Sequence, residues 1–305
     1  MQTAALFEHV SQVLREAVEA TGLPASFRAL LLDALSREGK ALAAAAGREP
    51  RWPALVLASC EAAGGDPAAA VYVAAAVDAF IAALDILDEV EDGDASALIA
   101  AAGMPRALNA STALLGLAHR LLGDLGRAGV PAGRLPRFHA TLAEAGLAAT
   151  GGQHLDLTAE GRAETTPEDA VEIARRKAGA LVAGAFRLGA LLGAEDEALL
   201  ALYADLGRHY GTAAQLANDL HDVANPGRKT DLEREKGTLP LVFDRRGAPA
   251  EATADDAPPA ERLRLSGALH FTWVVIELER QACARLLAEL RGRGQATAWL
   301  ERLLA

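Results

Sequence analysis

Apolar residues recur every three or four positions along nearly the whole chain, in runs at about 3–20, 24–45, 53–63, 68–91, 105–128, 135–157, 167–192, 195–223 and 261–303. No run alternates apolar and polar residues as a half-buried strand does, so the pattern predicts helices throughout, with breaks inside the longer runs. Composition agrees: 51% of residues are apolar and only 4% aromatic, and alanine, the best helix former, fills much of the apolar share. Gly64-Gly65-Asp66-Pro67, Gly129-Val130-Pro131 and Thr165-Thr166-Pro167-Glu168-Asp169 combine turn formers with helix-start residues and mark short joints between helices. Asn225 to Pro240 and Asp244 to Pro259 are expected to be irregular, the second a surface loop rich in Ala, Pro and Asp. No linker divides the chain and no fixed-period repeat occurs. The fold class expected is all-α, in a single domain, 1–305.

The formal charge of −11 argues against nucleic acid as a partner, since a phosphate backbone calls for a lysine and arginine excess. Met1 to Arg15 has charges and no uninterrupted apolar segment of signal-peptide type, which predicts a cytoplasmic protein. The most apolar stretch, Ala68 to Leu87, approaches membrane-spanning length, but Asp78 and Asp85 interrupt it, so no membrane span is expected and the stretch reads as a buried helix. Cys60 and Cys283 lie in apolar helical contexts outside any CxxC or Cys/His cluster and read as core residues. His119, His209 and His270 have no metal-binding spacing and read as structural or surface groups. Phe271 and Trp273 read as core.

Two acidic clusters concentrate the chemistry. Asp85, Asp88, Glu89 and Asp92 follow one another at intervals that place their carboxylates along one helical face, where like charges repel. Cations relieve that repulsion, and hard oxygen ligands suit Mg2+, which keeps several waters and completes its shell with substrate phosphates. A solvated acidic helix end is the simpler reading of this cluster by itself. In the second cluster Gln215, Asn218, Asp219 and Asp222 again share a face at the end of an apolar helix. His221 lies inside it but points away from the aspartates, and is assigned no role. Gly227 to Pro240 follows, rich in both charges, with Lys229 and Lys236 as mobile point charges for a bound polyanion.

Asp88-Glu89-Val90-Glu91-Asp92 and Asn218-Asp219-Leu220-His221-Asp222, with Gly152-Gln153-His154-Leu155-Asp156-Leu157 and Lys177-Ala178-Gly179-Ala180-Leu181 in order between them, resemble the motifs of the polyprenyl synthetase family of trans-isoprenyl diphosphate synthases. The resemblance runs from about Trp52 to Pro240. It implies an isoprenoid synthase-type helical bundle around a central apolar cavity, with both aspartate motifs at its mouth holding Mg2+ on an allylic prenyl diphosphate. It also implies a prenyltransferase reaction: the diphosphate leaves, the double bond of isopentenyl diphosphate attacks the allylic cation, and loss of a proton gives a chain longer by one isoprene unit. On this resemblance Asp85, Asp88, Glu89, Asp92, Asn218, Asp219 and Asp222 are the metal ligands. Asp88, Asp92, Asp219 and Lys177 carry catalysis, and Gln153, Asp156, Lys177, Gln215, Lys229 and Lys236 bind substrate. The small Ala83, before the first motif, implies depth for a longer product. A homodimer is implied as well.

The chain also departs from the family. The family's GGKxxRP motif for isopentenyl diphosphate is not intact, the region having Glu38-Gly39-Lys40 and, separately, Arg51-Trp52-Pro53, and no arginine pair follows Asp92, the next arginine being Arg106. The allylic half-site is therefore expected to be preserved and the acceptor half-site degraded. That asymmetry keeps open a terpene synthase acting on one allylic diphosphate, which the Asn218-Asp219 pair also suggests, and a prenyltransferase with a different acceptor. The latter is supported by a local similarity, over Leu84 to Asp94 and Asn109 to Leu115, to isoprenyl transferases of a bacterial quorum-sensing peptide. A catalytically silent partner subunit is the non-enzymatic alternative.

Overall fold

A computed structural model describes residues 3–43, 49–94, 96–224, 237–247 and 259–305, and all regular structure among them is helical. The helices are α1 (Thr3–Glu19), α2 (Ala25–Leu35), α3 (Arg51–Ala62), α4 (Pro67–Glu91), α5 (Ala97–Ala102), α6 (Met104–Gly123), α7 (Leu135–Ala159), α8 (Pro167–Ala174), α9 (Ala180–Ala190), α10 (Glu197–Ala224), α11 (Leu239–Gly247), α12 (Pro259–Leu265), α13 (Ala268–Gly292) and α14 (Ala298–Leu304). Between α8 and α9 the chain forms a π-helical turn, Arg175–Gly179. The chain folds into two compact units, one of Met1–Ala143, Ala185–Tyr203 and Arg293–Ala305, the other of Glu144–Gly184 and Ala204–Gly292, and α7, α9 and α10 contribute residues to both.

In the first unit α4 is the central helix, packed by α1, α3 and α6. Asp66 caps it by accepting the Ala68 amide at 2.9 Å, and Pro67 occupies its first turn, as the joint predicts. Its length and apolarity would suffice to cross a membrane, but 78% of its most apolar window is buried within the protein. Alanines 69, 70, 74, 75, 76, 79, 82 and 83 are almost fully buried along it, letting neighbouring helices approach closely. Side chains such as Val10, Leu14, Leu55, Leu114, Leu121 and Leu122 supply the larger apolar surfaces. Gly189 of α9 lies against the Val56 carbonyl and Ser59 of α3, where a Cβ would collide. Tyr203 is fully buried and donates its hydroxyl to Gln295 Oε1 at 2.9 Å.

In the second unit a capping box starts α8: Thr166 Oγ1 accepts the Asp169 amide and Asp169 accepts the Thr166 amide. Leu216 of α10 packs in one cluster with Leu239 and Val242 of α11 and Ile276 of α13. The stretch from Asp244 was expected to be irregular, yet α11 runs through it to Gly247, because Leu239 and Val242 find this apolar partner surface. Residues 225–236 and 248–258 lie outside the described residues. The run at 24–45 stops as a helix at Leu35, and that at 261–303 divides into α12, α13 and α14. Phe271 stacks on Phe243 with centroids 4.4 Å apart. Trp273, expected in the core, is 51% exposed on the outer side of α13. Cys60 and Cys283 are free, buried thiols whose burial pushes each pKa up to about 12, as core residues require.

Candidate active site

The first acidic row closes α4, with Asp85, Asp88, Glu89 and Asp92 all half-buried. Like charges at this spacing need partners, and the segment after α2 supplies two. Gly39 turns the chain at φ +82°, and the buried Lys40 places Nζ 2.6 Å from Asp85 Oδ2. Arg37 pairs with Glu89. Asp85 and Glu89 thus face cations of the chain itself, while Asp88 and Asp92, also four positions apart, form the adjoining strip. One face of α4 continues inward to Asp78, fully buried, whose Oδ2 accepts the Ala41 amide at 2.9 Å. Burial pushes the Asp78 carboxyl up to about 6, the nearby Asp85 charge adds to the rise, and Lys40 and the Ala41 amide pull the other way.

Gly39 and Arg51, twelve positions apart in a stretch where the family's motif is not intact, meet in this unit: the Arg51 amide donates to the Gly39 carbonyl at 3.3 Å. Lys40 is thereby brought beside the first acidic row and the start of α3. Nothing in the linear spacing signals the Arg37 or Lys40 pairing, since each depends on the turn at Gly39.

The second row lies near the end of α10. Gln215 Nε2 donates to Asp219 Oδ1 at 2.8 Å, which fixes that carboxylate from one turn away. Asp219 and Asp222 are half-buried, Asn218 and His221 exposed. Lys177 lies in the π turn, and its Nζ is 3.0 Å from Asp156 Oδ2 of α7. The turn is held backbone to backbone. A Cβ on Gly152 of α7 would stand 2.5 Å from the Lys177 amide nitrogen, and one on Gly179 3.0 Å from the Arg208 carbonyl of α10.

Gln153 lies one turn before Asp156 on α7, is 8% exposed, and has neither amide atom hydrogen-bonded among the described residues. A buried amide left unpaired costs roughly 1–3 kcal/mol, so a hydrogen-bonding partner, whether water or ligand, is favoured at this position. Gln153, Asp156 and Lys177 thus share one neighbourhood of the second unit. Lys229 and Lys236 lie outside the described residues.

Among the described residues no three His, Cys, Asp or Glu side chains converge as a ready-made metal cage. The donor set still fits Mg2+: the first row offers carboxylate oxygens and the second carboxylate and amide oxygens, all hard donors, and this ion takes one or two carboxylates, with waters and substrate phosphates completing its octahedron.

A family model described as polyprenyl synthetase matches residues 33–257. The chain belongs to the polyprenyl synthetase family. The short chain isoprenyl diphosphate synthase of Methanothermobacter thermautotrophicus is 31% identical over 221 residues, 69% of this chain and 66% of that protein. The (2E,6E)-farnesyl diphosphate synthase of Mycobacterium tuberculosis is 30% identical over 202 residues, 63% of this chain and 55% of that one. The match thus spans under two thirds of either relative's length. Among solved structures, a polyprenyl synthetase from Streptomyces coelicolor A3(2) superposes with a TM-score of 0.80 at 24% identity, covering 100% of both chains. That likeness gives the fold, all-α and of isoprenoid synthase type. The matched span of the polyprenyl synthetase family includes both acidic rows, Gln153, Asp156 and Lys177, and Gly39, Lys40 and Arg51.

Proposed function

We propose that the protein is a prenyltransferase that ionises an allylic prenyl diphosphate and joins the prenyl group to isopentenyl diphosphate, with Mg2+ as cofactor, acting in the cytoplasm as a homodimer. The observation that carries this reading is the Gln153, Asp156 and Lys177 neighbourhood within a chain of the polyprenyl synthetase family: a half-buried ammonium held at 3.0 Å by its carboxylate, beside a buried amide with no partner among the described residues.

Bound Mg2+ would supply Lewis-acid neutralisation of the leaving diphosphate. Asp88 and Asp92 would hold it on the first row, with Asp85 and Glu89 supporting them while they answer Lys40 and Arg37. Asp219, aimed by Gln215, would hold it on the second row, with Asn218 and Asp222 beside it. Lys177 contacts the diphosphate oxygens as a fixed cation, so charge developing on departure meets a donor already in place. Gln153 satisfies its amide on the same substrate. Product length is set near the start of the first row. Ala83, fully buried, is the small residue that leaves depth for a longer chain, with Leu84 beside it, and Ala83→Phe is expected to shorten the product.

The acceptor is isopentenyl diphosphate on this reading because Gly39-Lys40 and Arg51, separated in sequence, are adjacent in the fold. Asp88→Ala and Asp219→Ala are each expected to lower kcat by at least about 100-fold with the melting temperature unchanged or raised. Melting that collapses in both variants, with activity lost only in proportion to folded protein, would mark the rows as structural.

A further inference from the structure

We propose that Glu279, on the long helix α13, is a positioning residue for Lys177, acting through Arg175 and the π turn; this rests on the reading of Lys177 as a diphosphate ligand. Glu279 is 8% exposed on the buried face of α13, between Ile276 and Cys283. Its two oxygens reach different elements. Oε2 meets His209 Nδ1 of α10, and Oε1 lies 3.7 Å from an Arg175 guanidinium nitrogen, the distance of an ion pair rather than a hydrogen bond.

Arg175 opens the π turn and Lys177 is its third residue. Positions two apart on a helix do not share a face, so the turn is tied from two sides, through Lys177 to Asp156 on α7 and through Arg175 to Glu279 on α13. A π turn holds one residue more than the α-helical register and persists where surrounding contacts favour it. Gly152 and Gly179 fix its backbone between α7 and α10, and the two carboxylates fix its rotation. Arg175 also meets Glu172 at 3.1 Å, but that carboxylate is 40% exposed whereas the Glu279 side chain is 10% exposed. Attraction to the buried charge is less screened by water and salt. Glu279 therefore sets which side of the turn Arg175 occupies, and with it the direction of Lys177.

The test is isothermal titration of the full chain with inorganic diphosphate in the presence of magnesium, beside steady-state kinetics. Glu279→Gln keeps the shape and removes the charge. It is expected to weaken diphosphate binding and raise the allylic KM roughly tenfold, with a smaller change in kcat. In a Lys177→Gln background the same substitution is expected to change binding by less than about twofold, because the group it positions is gone. Arg175→Met, at a half-exposed position, should reproduce the effect and covers the case in which Glu279→Gln fails to fold. Wild-type binding in Arg175→Met, or an undiminished Glu279→Gln effect in the Lys177→Gln background, overturns the proposal. A wild-type protein that binds no magnesium diphosphate would instead count against Lys177 as a diphosphate ligand, which separates the two failures.

Discussion

Asp78 lies fully buried on α4, and its carboxyl is raised from 3.8 to about 6 chiefly by desolvation. A carboxyl raised in the folded state binds its proton more tightly there than in the unfolded chain, so folding loses stability as pH climbs from about 4 through about 6. The shift corresponds to a loss on the order of 3 kcal/mol by neutral pH. Asp78→Asn removes this dependence. Urea denaturation of both proteins at pH 4 and pH 7 should show the variant gaining on the wild type by that order as pH rises; a difference that stays constant with pH would contradict the assignment. Residues of this kind were only partly legible in the sequence. The rows at Asp85–Asp92 and Gln215–Asp222 stand out because helical spacing alone puts like charges side by side. Lys40 on Asp85, Arg37 on Glu89 and His209 on Glu279 did not, since each pairing depends on a turn or a helix packing that no local interval encodes.

Elements with a chemical stop signal were readable. Asp66 with Pro67 and Thr166 with Asp169 cap helices where the sequence places them. The π turn was not, because one inserted residue barely disturbs the apolar period of the 167–192 run. Its signature is the glycine on each neighbouring helix that meets its backbone, Gly152 of α7 and Gly211 of α10. Gly152→Ala would put a Cβ 2.5 Å from the Lys177 nitrogen and 2.8 Å from the Arg176 carbonyl carbon. Neither atom is the end of a flexible side chain, so α7 or the turn must move. Overpacking of this kind costs about 1–3 kcal/mol, and the expected outcome is a melting temperature lower by several degrees together with weaker diphosphate binding. Unchanged melting and binding would show that the turn is not held from α7. Helix α11 went unread for another reason: its formation rests on Leu216 and Ile276, distant in sequence, rather than on local propensity.

For the molecule as a whole, the all-α class was legible from periodicity and alanine content, and the family from the order of its motifs. The expected span of resemblance, Trp52 to Pro240, falls within the matched 33–257. The additional N-terminal part contains Arg37 and Lys40, which answer the first acidic row, and Gly39, whose carbonyl accepts the Arg51 amide. The acceptor is the point on which the whole account turns. The direct test is product analysis of the purified protein with magnesium and dimethylallyl, geranyl, farnesyl or geranylgeranyl diphosphate, each with and without isopentenyl diphosphate. The account predicts a longer prenyl diphosphate in the paired reactions alone. A hydrocarbon or terpene alcohol formed from an allylic diphosphate without isopentenyl diphosphate would contradict it and make the protein a terpene synthase, and no turnover of any pair would contradict it in favour of another acceptor or a silent subunit.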